Sequence, residues 1–484
     1  MRRFSALLAG AAGVALGLLA AGSAPVWANE RRGPLGPDED GTKPALVKIA
    51  GEGLMESHAF QFLMELSDDV GARVTGSPEE RKAEEWGVAK MKSIGLENVH
   101  TEKYQIWRGW KRGTAEAELL SPMRHKLHVD AMGWTGSTPA SGVEGEIVSV
   151  NLFDIDNEIK NVARLKGKIA LMVMKGQPRA SFTQLFLRFG DYLRAAGQAG
   201  VLAVIGGQAG VKSAGMNLTH TGILGFDADF PLPVVSMTAE DQSQLERYLD
   251  RGMTPRARFN VQNSFTNGPV ESANVVGEIR GREKPDQILV VGGHLDSWDL
   301  AQGATDNGSG TASVLGAADS IMRSGQRPRR TIRFVLFTGE EQGLNGSKAY
   351  VQAHKDELGK ISGVLIHDSG TGKVLTIGSM GNYGARETLG RVLYPLAEPV
   401  GIMEPSLRSE GGTDHIPFDT AGVPGFWCMQ EIAEYDKLHH SQADTLEHVR
   451  WDDLTEGAQV LAVFAYNVAE LPDLLPRKSS RQEK

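Results

Sequence analysis

Cysteine is nearly absent, with Cys428 the only one in 484 residues. A single thiol excludes an intrachain disulfide framework and any thiolate-rich metal site. A metal bound here would be held by imidazole and carboxylate. Basic charge is outnumbered: 51 Lys and Arg face 60 Asp and Glu, a net charge of −9. That balance excludes a surface built to wrap nucleic-acid phosphate. Aromatic residues are sparse, at 7%. Beyond Asn29 no apolar run reaches the roughly 18 residues that a membrane-spanning helix needs. Long disorder is excluded as well, because 41% of the residues are hydrophobic and only 23% charged. Glycine is plentiful, at 58 residues, but follows no G-X-Y period, so it belongs in turns and close backbone approaches rather than in collagen.

The chain is too long for one ordinary core. Its first segment reads as an export signal. Arg2 and Arg3 precede an uncharged stretch from Phe4 to Asn29, rich in Ala, Leu and Gly and broken by Ser23 and Pro25. The stretch reaches Val26-Trp27-Ala28, with small residues at −3 and −1 of a cut after Ala28. This is the pattern of a cleaved signal peptide (1–28) rather than a membrane anchor. The arginine pair points to either the general or the twin-arginine route. Cleavage removes Arg2 and Arg3, so 49 basic residues face 60 acidic ones and the charge becomes −11. The mature protein is expected to be periplasmic or secreted, without stable membrane insertion.

Residues 29–44 are polar and carry Pro and Gly, as a flexible leader does. Helical spacing follows over His58–Asp69, and Ser77-Pro78-Glu79-Glu80 opens a helix that Gly95 should end. Val99–Trp107 reads as a strand. Over 123–263 the texture changes to short strands, turns and helices, which predicts a separate β-rich inserted domain. From Ala273 onward strand and helix alternate: apolar runs end at His294, Phe337 and His367, with helices predicted at Ser309–Ser324 and Gly346–His354. This order predicts an α/β fold with a mixed, mostly parallel sheet flanked by helices. The α/β body would comprise 45–122 and 264–475, and 476–484 a disordered tail.

Ligands of open α/β sheets bind at the carboxyl ends of the strands. The candidate metal ligands fall there: His294, Asp306 twelve residues later, the pair Glu340-Glu341, Asp368, and His440 nearer the C-terminus. Each alone has an ordinary reading. A lone His is usually a polar residue, Asp-Asn-Gly-Ser-Gly a turn, and Glu-Glu a solvated face. Their convergence on successive strand ends favours a metal hydrolase. Two imidazoles with several carboxylates and no thiolate suit Zn²⁺, and Mn²⁺ and Co²⁺ use the same donors.

These residues also resemble a family. His294-Leu-Asp296-Ser, Thr305-Asp306-Asn-Gly-Ser-Gly310, Thr338-Gly-Glu340-Glu341-Gln-Gly, Asp368 and His440-Ser-Gln-Ala-Asp444 are similar in order and spacing to the motifs of the M28 co-catalytic zinc peptidases. The resemblance covers roughly residues 45–475 and is nearest to the carboxypeptidase and dipeptidase branch. It implies the zinc-exopeptidase (phosphorylase/hydrolase-like) fold, a protease-associated insert, two Zn²⁺ per chain and peptide substrates. It also implies a homodimer. Asp306 would bridge the ions, with His294 and Asp368 completing one ligand set and Glu341 and His440 the other. Glu340 would be the general base. Asp296 and Asp444 would lie behind the ligands and orient His294 and His440. Asp414 and His415 would support the substrate pocket, or a structural turn. The Asp306–Asn307 peptide would be cis, which is rare outside proline.

Two readings stay open beside this one. An aminopeptidase uses the same metals on the same scaffold. A binding ectodomain keeps the fold without the chemistry, but here every ligand position and Glu340 are filled. A glutaminyl-cyclase-like transferase is disfavoured by the inserted segment. Gly370-Thr-Gly-Lys373 lacks the spacing of a phosphate loop. Cys428, in Gly-Phe-Trp-Cys-Met, reads as a core residue, and Trp107, Trp110 and Trp134 as packing residues.

Overall fold

The structure is a computed structural model that describes residues 41–478 except 179, 207–212, 226–227 and 410–411. The expected signal peptide and most of the leader lie outside the described residues. The described residues from Pro44 onward group as one compact unit. No helix of the described residues is long and apolar enough to cross a membrane.

Seven strands make the larger sheet, in the order Glu97–Ile106, Val270–Ile279, Arg330–Phe337, Lys284–His294, Ile361–Ile366, Gly425–Gln430, Val374–Gly378. The four strands from Arg330–Phe337 to Gly425–Gln430 pair in parallel, and the remaining three pairings are antiparallel. The sheet is therefore mixed, with parallel pairing confined to its centre. The central strands are continuous apolar runs because both faces are covered. On one face the helices Ser309–Arg323 and Trp451–Glu470 set Ala312, Leu315, Val460 and Phe464 against Leu289, Val291, Phe334 and Leu336. On the other, Tyr350 and Phe418 cover Val290, Val335 and Phe337. The parallel register brings His294 level with Phe337, so the segments after both strands leave the sheet at one edge.

Local signals act where the sequence places them. Ser77 Oγ accepts from Glu80 N at 3.0 Å, Pro78 opens the helix Pro78–Ile94, and Gly95 ends it at φ 90°. Ser181 and Gln184 form a capping box that opens Phe182–Ala199.

A second, eight-stranded sheet is built from strands lying between residues 115 and 261. In sequence it falls wholly between the first two strands of the larger sheet. Its strand Ala115–Ser121, expected in the first peptidase piece, pairs instead with Arg256–Val261. Ala117 and Leu119 alternate into the same core as Phe259, and this burial decides the pairing.

Candidate metal centre

His294 ends its strand with the side chain 1% exposed. Its Nδ1 lies 3.0 Å from the carbonyl oxygen of Asp296. A carbonyl only accepts, so Nδ1 carries a hydrogen and Nε2 is the atom turned to the carboxylates. That Nε2 is 3.2 Å from Asp306 Oδ1 and 3.2 Å from Asp368 Oδ1. The other oxygen of Asp306, Oδ2, lies 3.2 Å from His440 Nε2 and 3.4 Å from His439 Nε2. Glu341 Oε2 is 3.0 Å from His440 Nε2. The second imidazole is oriented like the first, with its Nδ1 3.2 Å from the carbonyl of Thr221. Two donor groups thus meet at one carboxylate: His294, Asp306 and Asp368 on one side, and Asp306, His440 and Glu341, with His439 beside them, on the other.

The backbone explains how Asp306 reaches both. It lies in the irregular turn Ala304–Gly308 ahead of the helix Ser309–Arg323, and its peptide bond to Asn307 is cis. Asn307 Nδ2 donates to the His367 carbonyl at 2.8 Å, and its Oδ1 accepts from Gly310 N at 2.9 Å. A Cβ on Gly310 would stand 2.3 Å from that carbonyl and from Asn307. Glycine is required for this approach.

The residues fit a pair of cations. Asp306 Oδ2 and Glu341 Oε1 are buried acceptors without a hydrogen-bond donor. Such orphans are costly unless a donor or metal satisfies them. Burial pushes the Glu341 carboxyl up to about 7, the Asp306 charge adds to this, and His440 opposes it. Glu340 is held well above the usual carboxylate range by burial, with Asp368 and Glu341 adding to it and His294 opposing. Burial also raises Asp306, but the facing His294 and His440 rings overcome it and hold this carboxyl well below its ordinary value. The imidazoles rise against burial, His294 chiefly through Asp368 and His440 chiefly through Glu341. Without a metal, protons on the two rings balance the carboxylates; metal binding would displace them.

The residues behind the ligands differ in part from expectation. Asp296 Oδ1 lies 3.6 Å from His294 Nδ1, farther than its own carbonyl. Its carboxylate instead accepts from Glu340 N and Glu341 N, both at 3.3 Å, and from Thr75 Oγ1 at 2.8 Å. It fixes the glutamate turn. Asp444 does not bond His440. Its Oδ1 accepts from Thr305 N at 2.5 Å and Thr305 Oγ1 at 2.7 Å, and its Oδ2 from Asp306 N at 3.2 Å. Asp444 therefore holds the backbone of the shared carboxylate. The reason is geometric: His440 turns its Nδ1 to Thr221, away from its own loop.

Asp414 and His415 are both buried. Asp414 accepts from Ser347 Oγ at 2.5 Å, and burial pushes its carboxyl up to about 7. The His415 ring stacks on Trp427 at 6.5 Å. A narrow cleft above the ligands is lined by Trp298, Gly303, Asp306, Glu341, His440 and Asp444. Cys428 is buried in its strand.

Three contributors escaped the sequence. His439 stacks on His440 with ring centres 3.6 Å apart, and the doubled histidine was its only signal. Trp298 joins Trp134 to His440, at 6.1 and 6.0 Å. Arg73 is fully buried and donates to the carbonyls of Leu295, Gly71, Gln302 and Gly303, around the loop between His294 and Asp306. Nothing in its local sequence marks it.

Comparison with known proteins agrees with this geometry. A profile of peptidase family M28 matches residues 274–465. Carboxypeptidase Q of Homo sapiens is 32% identical over 435 residues, covering 90% of each chain. Aminopeptidase YwaD of Bacillus subtilis (strain 168) is 26% identical, covering 85% of each. The crystal structure of a peptidase M28 precursor from Shewanella amazonensis SB2B superposes with a TM-score of 0.80. It is 29% identical and covers 90% of this chain and 98% of that one.

Proposed function

The chain belongs to peptidase family M28, and from that premise we propose that it is an exported, two-zinc exopeptidase hydrolysing dipeptides or short peptides in the manner of carboxypeptidase Q. The observation that carries the metal reading is the Asp306 carboxylate. It offers one oxygen to His294 and the other to His440, and the second oxygen is a buried acceptor without a donor. Asp306 would bridge two Zn²⁺, His294 and Asp368 completing one ligand set and Glu341 and His440 the other. The imidazole and carboxylate donors suit zinc. The peptidase body would be 45–122 with 264–475, carrying a protease-associated-like insert near 123–263. Residues 1–28 would direct export.

When bound, such ions polarise the scissile carbonyl and acidify water. The protein's part is positional and acid–base. Glu340 takes the proton of the attacking water and returns it to the leaving amine. Asp296 holds Glu340 and Glu341 by their amides, so one side chain ligates while its neighbour moves a proton. Asp444 keeps Thr305 and Asp306 in place.

Glu340→Gln is expected to lower turnover by about 10²–10⁴-fold while leaving metal content intact. Turnover kinetics and elemental analysis check this, and retained activity removes Glu340 from the base role. The aminopeptidase relative supports a second reading, cleavage of one residue from a free N-terminus. Free dipeptides, N-blocked dipeptides and aminoacyl-anilides separate the two. Rapid anilide cleavage without dipeptide hydrolysis would sink the carboxypeptidase-Q-like reading.

A further inference from the structure

The His440 half of the centre leans on the second sheet. Segment 219–222, from among that sheet's strands, lies along the loop 439–442. Thr221 N donates to the His440 carbonyl at 2.9 Å, and the Thr221 carbonyl receives His440 Nδ1 at 3.2 Å. His220 Nδ1 donates to the His439 carbonyl at 2.7 Å, and Thr219 N donates to Gln442 Oε1 at 3.1 Å. A single guanidinium ties this segment to Asp299. Arg112, with its side chain 9% exposed, donates through Nη2 to Thr221 Oγ1 at 2.9 Å and to Asp299 Oδ1 at 2.6 Å. Its Nε reaches the same Asp299 oxygen at 2.9 Å, its Nη1 bonds the Ala131 carbonyl, and its plane lies 5.0 Å from the Trp110 ring centre. Asp299 sits next to Trp298, which lines the cleft.

We infer that Arg112, acting through Thr221, is a positioning residue for the second metal: it holds the carbonyl that fixes the orientation of His440. Arg112 touches neither ligand nor substrate. A fork with several fixed donors can hold Thr221, Asp299 and Ala131 together, which a lysine ammonium cannot do in one plane. Partners behind a metal ligand typically change metal affinity 10–100-fold when removed. The consequence here falls on one ion of the two. The inference rests on the two-metal reading, and the test separates them.

Full-length protein, wild type and the variants Arg112→Met, Thr221→Val and Arg108→Met, is stripped and titrated with Zn²⁺ against a chromophoric chelator. Thermal midpoints of the metal-free forms are measured in parallel. Arg108 is the control. It bridges to Asp229 at 2.7 Å and to the Thr266 carbonyl at 2.8 Å, and among the described residues its side chain makes no hydrogen bond to the loop 439–442. The expected result is 10–100-fold weaker binding of one ion in Arg112→Met. A smaller shift in the same ion is expected in Thr221→Val, and none in Arg108→Met. At saturating Zn²⁺ kcat should largely recover. Unchanged binding of both ions in Arg112→Met and Thr221→Val overturns the inference, as does an equal loss in Arg108→Met. If Arg112→Met does not fold, Thr221→Val decides, since it removes one hydroxyl. A wild type that binds no zinc overturns the metal reading itself.

Discussion

Arg73 shows most clearly how one residue can serve a site it does not touch. Its guanidinium is buried with no carboxylate in hydrogen-bond contact, and its donors are spent on four carbonyls. Burial pulls its proton affinity down to about 10, while Asp444, Asp296 and Asp306 pull it up, so it stays charged at neutral pH. It thus adds a fixed positive charge near the acidic cluster. Arg73→Met would leave the carbonyls of Leu295, Gly71 and Gln302 without donors, while Gly303 keeps Gly308 N, at about 1–3 kcal/mol for each orphan. The expected loss is at least about 3 kcal/mol, read as a lower urea midpoint of the metal-free protein. An unchanged midpoint would mean that water replaces the fork. Arg73 was invisible in the sequence because its partners lie more than 220 positions away, apart from Gly71. The same holds for Thr221 and His440, 219 positions apart. The clustering of His294, Asp306, Glu341 and Asp368 was legible, because continuous apolar runs stop at His294 and Phe337 and acids follow. Asp444 was legible as a supporting residue but not in its target. Sequence proximity suggested His440, whereas its carboxylate reaches the backbone of Thr305 and Asp306.

At the scale of elements, the helix Pro78–Ile94 carries a titratable contact with the larger sheet. Glu84 Oε1 accepts from Ala273 N at 2.9 Å, yet burial outweighs that bond and pushes the carboxyl up to about 7. Its unfolded value is 4.5. Between these values the folded state holds the proton that the unfolded state has lost. Stability therefore falls as pH rises through this window, and the loss is complete above the folded value. Glu84→Gln keeps an acceptor for Ala273 without the charge. Its stability relative to wild type should grow from about pH 5 to about pH 8, measured as paired denaturation curves. A constant difference would refute the shift. The glutamate turn gives a second prediction. Gly339 has φ 68°, and a Cβ there would stand 2.5 Å from the Tyr104 hydroxyl. Gly339→Ala should disturb Glu340 and Glu341 together, lowering both turnover and affinity for the second ion. Zinc titration beside the kinetics checks this. The helices and central strands could be read from capping and apolar runs. Strand Ala115–Ser121 could not be placed, because its membership is decided by pairing with Arg256–Val261, far along the chain.

At the scale of the whole molecule, two sheets serve one centre. The larger supplies His294, Glu341 and Asp368 from the ends of parallel strands. From between its strands, the second supplies the segment that steadies His440. Family membership and the metal-ready geometry agree, while the choice between dipeptides and longer N-terminal substrates rests with the walls of the cleft. Homodimerisation, implied by the resemblance, is read directly by sedimentation. The central claim is that hydrolysis needs two cations shared by Asp306. Its most direct test is to add Zn²⁺ stepwise to chelator-stripped protein while following cleavage of a free dipeptide and counting bound metal. The account predicts no cleavage in the stripped protein and full activity as binding approaches two ions per chain. Full activity in the stripped protein, or saturation of activity with no bound zinc, would contradict it.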